Sequence, residues 1–267
     1  MNVMITTALF DINRQSRGDG RTILEYLTWM KETLKVRCSM TVYTEKRFEK
    51  FIYQCRKNIP YETKVIVQDL SDLPFDKYMP QIREIMFSEF YRRRIKHPGR
   101  VECVLPEYNL IQYSKFGWLE KTAKENQNYD YFFWMDAGCS RFFLDADLSK
   151  EFPNINNINV DKFLIQRNTN FEKMWENLKF EEYIWDNRSM LTGGLFGGGR
   201  EVIFKMKKYI EEVCENIFFK NRCINNEQFA IAIISKLHTD LFDIRKQVYD
   251  LEQEGSNTLP LFKSLLD

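Results

Sequence analysis

Four short β-rich runs, NVMITTALF (2–10), SMTVYT (39–44), TKVIVQ (63–68) and YDYFFWM (129–135), are separated by segments of helical character. This alternation constrains the fold more than any other feature. Two-residue turns join antiparallel strands, whereas parallel strands need long crossovers, usually helical, that end up covering the sheet. Helices are expected over 22–35, where Ile23, Leu27, Met30 and Leu34 recur at helical spacing, and over EKRFEKFIYQCRK, QIREIMFSEFYRRR and 106–126, the last opened by Pro106. The second half is less regular. KFLIQRN (162–168), GGLFGGG (193–199) and DLFDI (240–244) read as strands, and 171–188 as irregular helix. Val202, Met206, Ile210, Val213 and Ile217 mark one further helix and NNEQFAIAIISKL (225–237) another. The expected class is α/β, with a central, mostly parallel sheet and helices on both faces. No Pro/Gly/Ser-rich linker divides the 267 residues, so a single domain over 1–267 is expected.

Bulk properties exclude several classes. Lys and Arg number 39 against 38 Asp and Glu, a net charge of +1 that gives no case for sequence-independent nucleic-acid binding. YRRRIKHPGR (91–100) is the local exception: a solvated helix end, or a contact for an anionic partner or membrane surface. The six cysteines lack CxxC or zinc spacing, which fits reduced thiols and a cytoplasmic setting, with peripheral contact at the inner membrane face. Apolar runs fall far short of the roughly 20 residues that cross a bilayer.

In parallel sheets, ligands sit beyond the carboxyl ends of the strands. Asp136 stands there, directly after the apolar YDYFFWM run, either meeting a ligand or capping the following turn. A D-x-D at such a position holds a divalent cation against a diphosphate. Here the letters are D-A-G, with Gly138 where the second acid would be, so Mn²⁺ or Mg²⁺ at Asp136 would need another ligand. The literal D-x-D of Asp145 and Asp147 lies in a loop past the strand. Lys115 falls on the same helical face as Ile111, Trp118, Leu119 and Thr122. A cation there must snorkel, pair with a carboxylate such as Asp136, or meet an anionic ligand.

GGLFGGG is not a phosphate-binding loop of the Walker kind. Gly194 to Glu201 reads G-x-x-x-x-G-R-E, without the required Lys and hydroxyl, and no register gives G-x-G-x-x-G. Glycines at this density mean either a tight structural turn or the close approach of a sugar or pyrophosphate to Gly193, Gly194 and Gly197–Gly199. Glu227 opens an apolar helix behind Asn225 and Asn226, either as a dipole-favoured acid or as a general base. Arg14, Arg17 and Arg21 occupy the loop after the first strand, as solvated charge or as phosphate contacts, with Asp11 first out of that strand. His97 and His238 show no partner spacing and read as structural.

Together, ITTALFDINR (5–14), RTILEYLTWMKETL (21–34), YSKFGWLEKTAKENQNYDYFFWMDAGCSRF (113–142) and GGLFGGG (193–199) resemble the HtrL/YibB-like family, which includes WlaTC-type proteins of bacterial surface-polysaccharide loci. That resemblance implies a GT-A glycosyltransferase fold, a nucleotide-sugar donor and a glycan or lipopolysaccharide-type acceptor. It divides the chain into a nucleotide-binding half, 1–136, and an acceptor half, 137–267. Under it, the donor touches Thr7, Asp11 and Asp136, Lys115 with Arg14 or Arg21 neutralises the leaving diphosphate, and Glu227 deprotonates the acceptor. The aromatic segment around Tyr183 and Trp185, with Gly193 and Gly194, then shapes the acceptor side. The alternatives are a non-catalytic sugar-nucleotide or glycan-binding module, and a nucleotidyltransferase.

Overall fold

The structure, a computed structural model, describes residues 1–143, 145–168, 180–187, 190–246 and 260–267. Its strands are β1 (Val3–Leu9), β2 (Ser39–Thr44), β3 (Thr63–Val67), β4 (Tyr131–Met135), β5 (Phe163–Arg167), β6 (Leu191–Gly199) and β7 (Phe242–Lys246). They form one seven-stranded sheet in the order β3-β2-β1-β4-β6-β5-β7. β6 pairs antiparallel with both β4 and β5, and every other pairing is parallel. The expected mostly parallel α/β sheet is therefore what the chain forms.

The side-chain alternation of β4 explains its apolar letters. Phe132 and Trp134 enter one core layer, and Tyr131, Phe133 and Met135 enter the other. A strand buried on both faces has no polar side to alternate with. One layer is closed by α3 (Met79–Phe87), α4 (Pro106–Glu125), α5 (Arg200–Val213) and α6 (Glu227–Leu237). The other is closed by α1 (Ile23–Thr33), α2 (Glu49–Arg56) and α7 (Pro260–Leu266).

Three expectations need adjusting. The segment 81–94 is not one helix. Ser88 adopts an extended backbone and its Oγ accepts from the Tyr91 amide at 3.2 Å, starting a separate turn, Glu89–Arg92. A serine that can cap competes with helix continuation. The helix expected through Ile217 passes at Cys214–Phe219 into a π-helical turn. Most of the expected irregular helix over 171–188 lies outside the described residues, within which a single turn, Phe180–Tyr183, is helical.

The topology also fixes where a ligand can sit. From β1 the chain steps outward to β2 and β3, then crosses back to place β4 on the other side of β1. Loops leaving the carboxyl ends of β1 and β4 thus diverge and leave a crevice between them. Asp11 leaves β1 and Asp136 leaves β4, both at that point.

Candidate ligand-binding cleft

A cleft opens at this switch point, and Asp11, Arg14, Arg21, Lys115, Asp136 and Gly138 all line it. The side chain of Asp136 is 35% exposed. Its loop is held by the end of α1: Thr33 Oγ1 donates to the Ala137 carbonyl at 3.0 Å and accepts from the Ser140 amide at 3.1 Å. On the other side, the Asp136 amide donates to the Gly194 carbonyl at 2.9 Å. The carboxylate does not cap its own turn. Its Oδ1 accepts from Trp134 Nε1 at 2.6 Å and lies 3.0 Å from Lys115 Nζ.

Lys115 comes from the middle of α4, a helix buried around most of its circumference. Of the readings open to a cation there, carboxylate pairing is realised. Its side chain is 2% exposed, and Nζ donates to Glu227 Oε1 at 2.9 Å and to the Gly193 carbonyl at 3.1 Å, besides meeting Asp136. Burial alone would lower the Lys115 pKa, but Asp136 and then Glu227 more than reverse this and hold it above its ordinary value. Glu227, 1% exposed, moves the other way for a carboxylate: burial raises its pKa, and the ammonium only partly offsets that. One ammonium shared between two carboxylates leaves the buried one undercompensated. Asn226 caps α6 as expected, its Oδ1 accepting from the Phe229 amide at 2.9 Å.

Glu227, Gly193 and Gly194 are not among the residues lining the cleft; they lie behind Lys115 and Asp136. A Cβ on Gly193 would fall 2.3 Å from Glu227 Oε1, so this glycine is what lets the carboxylate approach. The glycines of 197–199 serve packing and not a ligand. A Cβ at Gly197 would lie 2.7 Å from the Phe132 carbonyl oxygen, and one at Gly199 2.3 Å from that of Val160. Thr7 is fully buried within β1 and does not reach the cleft, because the strand continues to Leu9 before the loop begins. Asp145 pairs with Lys263 at 2.9 Å and Asp147 accepts from Ser149, both away from the cleft. Tyr183 and Trp185 do not line it either. His238 stacks on Tyr209 at 4.1 Å.

Arg141, Tyr26 and Tyr108 also line the cleft, and the sequence does not single them out. Arg141, five positions past Asp136, lies 4.4 Å over the Trp29 ring and donates from Nε to the Gly138 carbonyl at 2.9 Å. It makes no ion pair among the described residues, and burial lowers its pKa. Its place in the loop after β4 was the available signal. Arg14 is fixed by Asp19, with Nη2 to Oδ2 at 2.5 Å, and lies 4.9 Å from the Tyr108 ring. The flat column Phe10–Trp118–Trp134, with centroids 5.5 and 5.8 Å apart, runs beneath the cleft. In the sequence, Trp118 marks only part of an apolar helical face. Behind the cleft, Gln228 Oε1 is buried without a hydrogen-bond partner among the described residues, next to Gly193.

Four cations and two acids thus line the cleft, a balance suited to a polyanion with an attached neutral or polar group. For a divalent cation at Asp136 this chain would supply few oxygens, and a substrate diphosphate and water would have to supply the rest. Such an ion wants several oxygen ligands. Asp136 Oδ1 is already occupied by Lys115 and Trp134, Glu227 is turned into Lys115, and Gly138 has no side chain to offer. Among the described residues no three His, Cys, Asp or Glu side chains converge on one point.

Fold and cleft together define an α/β protein with a cation-lined cleft at the switch point of its sheet. The chain belongs to the HtrL_YibB family, whose model, described as "Bacterial protein of unknown function (HtrL_YibB)", matches residues 1–253. No curated protein matches it. Among solved structures it is similar to mouse xyloside xylosyltransferase 1 in its apo form, at 10% identity and TM-score 0.47, covering 100% of this chain and 93% of that one. A glycosyltransferase involved in glycosylation of the PBCV-1 major capsid follows at 9% identity and TM-score 0.44, covering 92% and 82%. The 4-diphosphocytidyl-2C-methyl-D-erythritol synthase of Anaerococcus prevotii is similar at 9% identity and TM-score 0.40, covering 98% and 96%. At these scores the likeness is one of overall chain path and carries nothing about substrate.

Proposed function

We propose that this protein is a glycosyltransferase that moves a sugar from a nucleoside-diphosphate donor to a glycan or lipopolysaccharide-type acceptor. The observation that carries the reading is the position of Lys115. It is a buried ammonium at the carboxyl end of β4, bonded to the cleft-facing Asp136 and walled by Arg14, Arg21 and Arg141. As the anomeric C–O bond breaks, its electron pair goes to the diphosphate oxygen, while the acceptor hydroxyl oxygen bonds to the anomeric carbon and its proton passes to the departing diphosphate. Preorganised cations around that oxygen stabilise the charge that develops, without reorganisation at the moment of reaction. Tyr26 and Tyr108 also line the cleft, with Arg14 over their rings at 5.5 and 4.9 Å, and supply aromatic surface beside a nucleobase.

Asp136 is the carboxylate in position to accept hydrogen bonds from the donor sugar. Glu227 is a positioning residue here: buried behind Lys115, it fixes the ammonium and does not meet the acceptor. This reading requires no divalent cation, because Lys115, Arg14, Arg21 and Arg141 supply the positive charge.

Thermal shift against UDP-, GDP-, CMP- and dTDP-sugars in EDTA, followed by an assay for released nucleotide, tests the reading. A ligand that binds only the native state raises the melting point. Stabilisation by one donor class with release of its nucleotide is expected. Absence of any shift and any release would overturn the reading, as would pyrophosphate release from a nucleoside triphosphate.

A further inference from the structure

The segment from Phe87 to Arg100 takes no part in the cleft. Its sequence, FSEFYRRRIKHPGR, holds five Lys and Arg side chains against a single carboxylate, although the whole chain carries a net charge of only +1. Three of these cations are neutralised locally. Arg93 pairs with Glu89 at 2.9 Å, Lys96 with Asp186 at 3.4 Å and Arg100 with Glu102 at 2.8 Å. Arg92 and Arg94 are exposed and make no ion pair among the described residues. Each lies instead over an aromatic ring, Arg92 at 5.7 Å from Phe87 and Arg94 at 3.7 Å from Phe90. Those two rings are themselves exposed, Phe87 at 55% and Phe90 at 39%.

Phe90 and Arg94 also meet the half-buried Trp185, at 5.8 and 5.9 Å, so exposed rings and two guanidinium groups without an ion pair among the described residues together make an amphipathic surface. We infer that this surface docks the protein on an anionic phospholipid bilayer. Phenylalanine rings insert at the headgroup boundary, while arginines bind lipid phosphates in bidentate fashion. The pairing of each of these guanidinium groups with an exposed ring favours a bilayer over an acidic protein groove, since a lipid offers phosphate and acyl contacts side by side. Arg100 leads into Val101–Val104, where Val101 and Leu105 pack with Ile12, a residue of the cleft wall. The inference does not depend on the reaction proposed above.

Co-sedimentation with vesicles tests it, comparing phosphatidylglycerol mixed equally with phosphatidylcholine against phosphatidylcholine alone. The native protein binds the anionic vesicles, releases them as salt rises, and ignores the zwitterionic ones. Reversing charge in Arg92→Glu with Arg94→Glu weakens binding about tenfold or more, since each basic residue near an anionic surface contributes severalfold. Phe87→Ser with Phe90→Ser weakens it by about the same factor. All four positions are exposed, so unchanged melting points keep the comparison valid. No binding, equal binding to both vesicle types, or variants that bind as the native protein does would each overturn the inference. So would retention on immobilised heparin without vesicle binding, which assigns the patch to a soluble polyanion.

Discussion

The two halves of the sheet treat the cleft in different ways. On the side of β1 and β4, every contribution is exposed to ligand: Asp11, Arg14 and Arg21 follow β1, and Asp136 and Arg141 follow β4. On the side of β6 and α6, the contributions are buried: the Gly193 carbonyl and Glu227 reach Lys115 from behind and touch no solvent. Lys115 is the joint between the two. On the proposed function, the first half supplies groups that recognise, and the second supplies groups that hold a charge in place. Ligand affinity and fold stability should separate along that line, and three substitutions or conditions test whether they do.

The largest effect is expected at the joint. Lys115→Met leaves Glu227 buried without a counter-charge, and breaking such a pair costs about 3–5 kcal/mol. Urea unfolding should register the loss, and adding Glu227→Gln should return most of it by removing the stranded charge, without returning nucleotide binding. A double variant no more stable than the single one would mean that the two halves are not coupled through this pair.

A smaller structural effect is expected on the exposed side. On the proposed function, Asp136→Asn should lower sugar transfer about a hundredfold or more, because it would alter the carboxylate that meets the donor sugar. Its unfolding free energy should stay within about 1 kcal/mol of native, as befits a partly exposed position. A large stability loss with modest loss of turnover would place Asp136 with the buried half.

The smallest effect concerns pH. The pKa of Glu227 is raised above 4.5 by burial, so the folded protein holds this proton more tightly than the unfolded chain does. Its contribution to stability is complete below pH 4.5 and is lost as pH rises through the raised value. In Glu227→Gln that part of the pH profile should flatten. Lys115, also raised, contributes below pH 10.5 and loses its contribution only as pH climbs beyond that, so the two segments do not overlap. Unfolding midpoints across the acid range, native against variant, check the slope.

Legibility in the sequence followed the same division. Asp136, Asp11, Arg14 and Arg21 were accessible because each stands at or just past the end of an apolar run, and strand ends are where parallel sheets bind ligands. The burial of Lys115 was legible as a conflict, a cation on an apolar helical face, but its resolution was not. Glu227 looked like a base at a helix start, and only the packing of α6 against β6 turns it inward. Thr7 looked equivalent to Asp11 until the length of β1 placed it inside the sheet. Arg141 could have been found by carrying the strand-end argument a few residues further; Gln112, on the buried helix, carried no such mark.

Hydrophobic periodicity is a local property, with alternation or helical spacing written over a few neighbouring residues, and it determined the strands, most helices and the class of fold. Nearness between distant residues is not local. Lys115 and Glu227 are 112 positions apart, and whether they meet depends on strand order, on the reversed direction of β6 and on a glycine small enough to let them approach. The tertiary structure alone decided that one ammonium serves two carboxylates, since that pairing arises only when elements from both halves of the chain close on the same point.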